Sequence, residues 1–284
     1  MTKTLTRAER NIAWCEKHLR IPEGKYVGQK LTMAPYMKDD FKAIYDNPNA
    51  LTRRAIISRG RKNAKTTETA MILLLHLCGP EARPNSQLFS AAQSRDQAAI
   101  LFALAAKMIR MSPELNDVTT VRDTAKEIVC SELGSKYKAL SADASTSYGL
   151  SPSLIIHDEL GQVRGPKFEL YDALESSTAA QDNPLSIVIS TQAPNDGDLL
   201  SVLIDDALKG EDPKTVLRFN TAPEEMDPFS IEALEAANPA FHVFMNKTEV
   251  LDMQASAKRM PTSQAEFENL ILNRRVETKA PFIT

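Results

Sequence analysis

Two short stretches of this chain carry the residue types that phosphate chemistry needs. The first is Ser58-Arg59-Gly60-Arg61-Lys62-Asn63-Ala64-Lys65-Thr66-Thr67, a basic run closing on Lys-Thr. Backbone N–H groups of such a loop, and the positive end of a helix behind it, can cradle phosphate oxygens. Lys65 is then the cation for the β- and γ-phosphates of a nucleotide, and the Thr66 hydroxyl suits the shell of a Mg2+ ion. The run departs from G-x-x-x-x-G-K-[ST] at two places, with Arg59 at the first glycine and Ala64 at the second. Alanine is tolerated there if the backbone does not demand a positive φ. The candidate phosphate-contacting residues are Arg59, Gly60, Arg61, Lys62, Asn63, Ala64, Lys65, Thr66 and Thr67. A basic surface loop in front of a helix would look the same, so this run alone decides nothing.

The second stretch changes that. Residues 154–157 (LIIH) form an apolar run leading directly into Asp158-Glu159. A buried strand would fix both carboxylates at the C-terminal edge of a sheet, where open α/β folds bind ligands. Asp158 can hold Mg2+ through its water shell, and Glu159 can orient and deprotonate an attacking water. A third apolar run, residues 185–190 (LSIVIS), ends in Thr191-Gln192, polar groups placed to sense a γ-phosphate and relay its loss. Loop, acidic strand end and polar strand end, in that order, read as the Walker A, Walker B and γ-phosphate-sensing elements of a P-loop NTPase.

These motifs need a scaffold of strands and helices. The pattern predicts helices over residues 7–19 and 35–45, a strand over 54–58 and a helix opening at Thr66. A strand over 86–91 and a helix over 96–111, stopped by Pro113, come next, then strands over 127–131 and 136–140 around Leu133-Gly134. Beyond the acidic strand lie a helix over 168–179, the 185–190 strand, a strand over 215–219 and a helical stretch from Ser230 broken at Asn238-Pro239. Continuous apolar strands alternating with helices predict an α/β fold with a mostly parallel sheet covered on both faces. Residues 1–50 are expected to form a helical segment, 51–225 the ATPase core, and 226–284 a helical subdomain.

Bulk composition is that of an ordinary globular protein, 43% hydrophobic and 25% charged over 284 residues. The longest apolar run, residues 70–78, contains His76 and is too short to span a bilayer, so no membrane role is expected. Residues 1–10 are polar and read as no signal peptide. Cys15, Cys78 and Cys130 lack metal-ligand spacing and read as free thiols. A formal charge of −3 does not announce a nucleic-acid binder, although local basic patches can still grip phosphates. His157 and Trp14 read as packing residues, and Arg53-Arg54 and Arg274-Arg275 as solvated edge charges.

With these residues in place, the chain resembles the large terminase subunit of tailed bacteriophages, in the branch whose loop reads G-R-K-N-x-K-[ST]. The match runs through Gly60 to Thr66, Leu140-Ser141-Ala142-Asp143 before Gly149, Asp158-Glu159, Glu169-Leu170-Tyr171-Asp172-Ala173-Leu174, Ile189-Ser190-Thr191, Ala237-Asn238-Pro239 and Ile271-Leu272-Asn273. The resemblance implies a P-loop NTPase fold of the ASCE type and a motor that couples Mg2+-ATP hydrolysis to translocation of double-stranded DNA. It implies a homo-oligomeric ring at the portal vertex of a procapsid in the host cytoplasm, with portal protein and small terminase subunit as partners. Lys65, Thr66, Asp158, Glu159 and Thr191 take the family's catalytic and metal roles, Arg59 or Arg61 contacts the γ-phosphate, and Tyr36 stacks on adenine. Tyr36-Met37 stands where relatives often have a glutamine-containing pair, which relaxes the expected base selectivity. Tyr148 stands where some relatives place an arginine acting in trans, which leaves Arg122 and Arg164 as alternatives. The family's second half is a two-metal nuclease; the chain stops at Thr284, near the expected linker, so no nuclease activity is expected of it. The competing readings are another P-loop DNA-dependent ATPase, of helicase or repair type, and an inactive prophage remnant.

Overall fold

The computed structural model describes residues 4–142 and 149–276. Helix α1 (Arg7–His18) opens on a capping box in which Thr6 and Glu9 satisfy each other's backbone N–H groups, and α2 (Pro35–Tyr45) starts on a proline. Strand β1 (Arg54–Ser58) feeds the basic loop, and α3 (Lys65–Cys78) leaves it. Then come β2 (Gln87–Ala92), α4 (Arg95–Arg110), the short α5 (Pro113–Val118), and strands β3 (Thr119–Arg122), β4 (Glu127–Cys130) and β5 (Ser135–Ser141). The acidic strand is β6 (Pro152–Asp158), followed by α6 (Glu169–Ser177), β7 (Leu185–Ser190), α7 (Leu199–Lys209) and β8 (Thr215–Phe219). Helices α8 (Ile231–Ala237), α9 (Lys247–Arg259) and α10 (Pro261–Leu270) close the described chain.

The eight strands form one sheet in the order β3-β4-β5-β2-β6-β7-β1-β8. From β5 to β8 every neighbouring pair is parallel, while β4 and β3 add an antiparallel edge. Alternate residues of the central strands enter different cores. Ala55, Ile57, Leu154, Ile156, Ile187 and Ile189 join the core beneath α1 to α4, whereas Ile56 and Val188 pack with Leu160, Tyr171, Leu200 and Ile204. Both faces are therefore buried, which is why these strands read as continuous apolar runs rather than alternating ones. The helical section has a core of its own around Ala233, Leu234, Phe241, Val250, Phe267 and Leu272.

The structure moves several expectations, among them the reading of Arg54 and Arg275 as solvated charges: Arg54 pairs with Glu175, and Arg275 with Asp196 and Asp205. Pro113 does not merely stop a helix: α4 has ended at Arg110, and Pro113 opens α5, where a missing N–H costs nothing. Arg274 is no solvated edge charge, being only 5% exposed, with its guanidinium donating to the carbonyls of Ala222, Pro223 and Met226 and pairing with Glu268. Helix α3 begins at Lys65, one residue earlier than the sequence predicts. Among the described residues no helix is long and apolar enough to cross a membrane.

Candidate nucleotide-binding site

Strand β7 lies between β1 and β6 and pairs with both, Ser190 facing Ser58 and Ile189 facing Asp158. The C-terminal ends of the three strands therefore deliver the basic loop, the Asp158-Glu159 pair and Thr191-Gln192 side by side. Backbone bonds tie these ends across the gap: Arg59 N–H donates to Ser190 O (3.3 Å) and Glu159 N–H to Ile189 O (2.8 Å). Asp143 and Tyr148 lie outside the described residues.

The loop is held in a strained shape. Lys62 and Ala64 both have positive φ, 68° and 52°. The condition under which alanine is tolerated there is not met, and Ala64 carries a Cβ where glycine would cost nothing, a penalty of roughly 1–2 kcal/mol. Glu159 is left-handed as well, at φ 52°. Such outliers persist only where surrounding contacts over-determine them, as at functional sites. At the mouth of α3, Ala64 supplies no side-chain cap, so the first-turn N–H groups have no side-chain acceptor. Unmet donors plus the helix dipole make an anion site.

Lys65 is buried and donates to the carbonyls of Arg59 (2.8 Å) and Gly60 (3.1 Å). Burial pulls its pKa down to about 8, against the charges of Glu159 and Asp158, which hold it up. Burial pushes Asp158 the other way, up to about 7, helped by neighbouring Glu159 and opposed by Lys65. A buried carboxylate with so little compensation suits a divalent cation. Thr66, half-buried beside Lys65, offers the hydroxyl for the same ion. Ser190 Oγ accepts from Gly161 N–H (2.9 Å) and lies 3.4 Å from Glu159 Oε2. Gly161 is required for that approach, because a Cβ there would come within 2.3 Å of Thr191 O. Thr191 itself is buried at the end of β7.

The two loop arginines separate. Arg59 is 1% exposed and paired with Asp40 (2.5 Å) and Glu68 (2.9 Å), and its guanidinium lies 4.9 Å from the centre of the Tyr36 ring. Arg218 joins the same cluster through Asp40 (2.5 Å). Burial, together with the Asp40 carboxylate, pushes Glu68 upward although Arg59 opposes it. Both carboxylates bond the same Arg59 nitrogen, Nη2, while Nε and Nη1 are buried without a partner, so the expected γ-phosphate contact would have to be made from within this buried ion pair. Arg61 is exposed and has no side-chain partner among the described residues, although its N–H donates to Leu270 O (2.7 Å). Lys62 is exposed and Thr67 half-buried. Asn63 is buried and uses its side chain on Gly60 O, Asn238 Oδ1 and Ala240 N–H, which leaves its backbone as the part that could meet a phosphate. Tyr36 is half-buried, donates to Asn63 O (3.0 Å) and has Phe244 at 6.4 Å. One face of its ring is taken by Arg59, so any stacking on a base must use the other. Arg122 and Arg164 pair with Glu127 and Asp198.

The sequence alone did not mark Ser190, Gly161, Asp40 or Glu68 as site residues. Only Gly161 and Ser190 carried a local signal, through adjacency to the acidic pair and to Thr191.

Residues 45–210 match the family model described as terminase large subunit, ATPase domain. The chain belongs to that family. A terminase large subunit of Enterobacteria phage HK97 is 47% identical over 280 residues, which is 99% of this chain and 55% of that protein. The crystal structure of the HK97 bacteriophage large terminase superposes with a TM-score of 0.90 at 45% identity, covering 95% of this chain and 56% of the other. The large terminase of a thermophilic bacteriophage, solved in complex with ATP-gamma-S, shares the fold with a TM-score of 0.57 at 8% identity, covering 86% of this chain and 53% of that one. This terminase ATPase-family chain thus spans about half the length of the HK97 protein, and its P-loop NTPase architecture is that of the family.

Proposed function

We propose that this chain hydrolyses Mg2+-ATP and that hydrolysis drives double-stranded DNA into a procapsid. The observation that carries the reading is the meeting of Lys65, Asp158 and Glu159 at one sheet edge, around an uncapped helix N-terminus. Family membership supports it and disfavours a helicase or repair enzyme.

Each residue has a task set by its position. The first turn of α3 and the Lys65 ammonium bind the β- and γ-phosphates, and Lys65 must leave two loop carbonyls to do so. Asp158 and Thr66 would hold Mg2+, which would supply positive charge against the phosphate oxygens. Glu159, held near Ser190, orients the attacking water and takes its proton. Exposed Arg61 stabilises the γ-phosphate charge, Thr191 reads its loss, and the Tyr36 ring, with Arg59 on one face, stacks on the base. The partners in this reading are DNA phosphates, portal protein, small terminase subunit and further copies in a ring at the portal vertex in the host cytoplasm. Grip on DNA should then be insensitive to sequence and weaken with salt.

The test is Mg2+-dependent ATP hydrolysis by wild type, Glu159→Gln and Lys65→Ala, with ATP affinity measured alongside. The reading expects turnover by wild type, binding without cleavage by Glu159→Gln, and weak binding by Lys65→Ala. A wild-type chain that is folded yet binds no nucleotide would sink it.

A further inference from the structure

The helical section does not simply pack beside the nucleotide site; it enters it. Gly60 N–H donates to Ala237 O (3.4 Å) and Arg61 N–H to Leu270 O (2.7 Å). A Cβ on Gly60 would stand 2.3 Å from Ile271 O and 2.5 Å from Asn238 Oδ1. The segment after α10 therefore crosses directly over the phosphate loop, and at its centre sits Asn273, fully buried and left-handed at φ 56°.

The Asn273 side chain reaches three strand ends at once. Its Oδ1 accepts from Gln192 N–H (2.7 Å), just beyond β7. Its Nδ2 donates to Ser58 Oγ (3.0 Å), the last residue of β1, and to Asn220 O (2.9 Å), just beyond β8. Its backbone oxygen accepts from Thr221 Oγ1 (2.9 Å) and from Gln192 Nε2. The amide orientation is dictated, because the oxygen faces an N–H group and the nitrogen faces a carbonyl. Asparagine is also among the few non-glycine residues at ease in the left-handed region. A fully used amide at a conformation that excludes most residues is more than a helical section needs merely to pack.

We propose that Asn273 is a positioning residue for ATP turnover, a side-chain bridge that keeps the Thr191-Gln192 end of β7 in register with the phosphate loop. The route to the chemistry is short. Gln192 follows Thr191, and Ser190 is bonded to Gly161 N–H and lies beside the Glu159 carboxylate. Arg59 N–H, at the start of the loop, is bonded to Ser190 O. Movement of the β7 end shifts the water-activating carboxylate relative to the phosphates, and the segment holding Asn273 moves with it. The proposal rests on the ATP-hydrolysis reading above.

Two variants separate the side chain from the backbone. Asn273→Gly keeps the left-handed backbone and deletes the bridge. Asn273→Asp keeps the acceptor for Gln192 N–H but sets a carboxylate oxygen against Asn220 O. Both should bind nucleotide within about threefold of wild type and lose about tenfold or more in kcat per binding-competent site, the scale of a small misplacement of reacting groups. A purely structural role would lower the folded fraction and leave kcat per competent site unchanged. If Asn273→Gly turns over at the wild-type rate, the side-chain bridge is refuted. Hydrogen exchange of the wild-type chain gives a readout that needs no variant to fold. Added ATP should slow the amides of residues 59–66, 190–193 and 271–274 together. Slowing at 59–66 alone would overturn the bridge while leaving the nucleotide site standing. No slowing anywhere would overturn the ATP reading, and the bridge with it.

Discussion

His157 and Asp158 are neighbours on one strand, yet they belong to opposite kinds of polar cluster. His157 is bonded to Glu175 (3.0 Å), which also takes Ser186 Oγ (2.5 Å) and the Arg54 guanidinium (3.0 Å). Despite burial, those partners hold Glu175 down at about 2. One residue on, Asp158 is pushed up to about 7, with Lys65 as its opposing cation. In the first cluster the protein itself supplies the partners of the Glu175 carboxylate, and these bonds hold α6 to the sheet. The second is left short of positive charge, a cost to stability that the proposed nucleotide site would explain. A strand that alternates faces lets adjacent residues serve both ends.

The largest expected effect is on turnover. Glu159→Gln should cut kcat by about 10²–10⁴, the usual contribution of a positioned base, whereas Glu175→Gln should leave kcat within a few-fold. Steady-state ATPase assays on the two variants check this, and equal losses would erase the contrast between the clusters.

Stability should move in opposite directions. For Asp158 the folded pKa, about 7, lies above the ordinary 3.8, so its contribution is favourable in acid and becomes a cost as pH rises through 7. Asp158→Asn should therefore raise the stability of the nucleotide-free protein at pH 8, by up to about 4 kcal/mol, with the gain shrinking toward pH 5. For Glu175 the folded pKa, about 2, lies below the ordinary 4.5, so its stabilisation is complete above 4.5 and lost as pH falls toward 2. Glu175→Gln should cost about 3 kcal/mol at pH 7 and progressively less in acid. Denaturant melts at several pH values test both; destabilisation by Asp158→Asn at pH 8 would contradict the account. The smallest effect is Ala64→Gly, which should add about 1 kcal/mol by relieving a left-handed alanine, visible as a rise in Tm of a few degrees.

How much of this was legible in the sequence depends on range. The bounds of β1, β7, β8 and α2 agree with the expected ones, because runs such as LSIVIS are buried on both faces and end at clear polar breaks. Helix α7 was not anticipated: its leading LLSVLI suits a strand as well as a helix, although the left-handed Gly210 after it is a helix-ending signal. Strand β3 (TTVR) pairs only with β4 at the sheet edge and lacks an apolar run. Within the site, the meeting of Lys65 with Asp158-Glu159 was legible because each motif sits at the end of a strand that the sequence marks locally. The Arg59–Asp40 pair spans 19 residues and the Asn273–Ser58 contact 215, and no periodicity reports such pairings. Hence Arg59 reads as a phosphate ligand from its place in the loop, while its burial between Asp40 and Glu68 is visible only in the structure.

The central claim is that this sheet edge is left incomplete for a nucleotide. Calorimetric titration of Mg2+-ATP into the Glu159→Gln chain, beside the Glu159→Gln/Lys65→Ala chain, tests it most directly. The account predicts saturable one-to-one binding in the first and binding weakened at least about tenfold in the second, the scale of a lost charge-assisted contact to phosphate. Equal affinity in the two folded chains, or no binding in either, would contradict it.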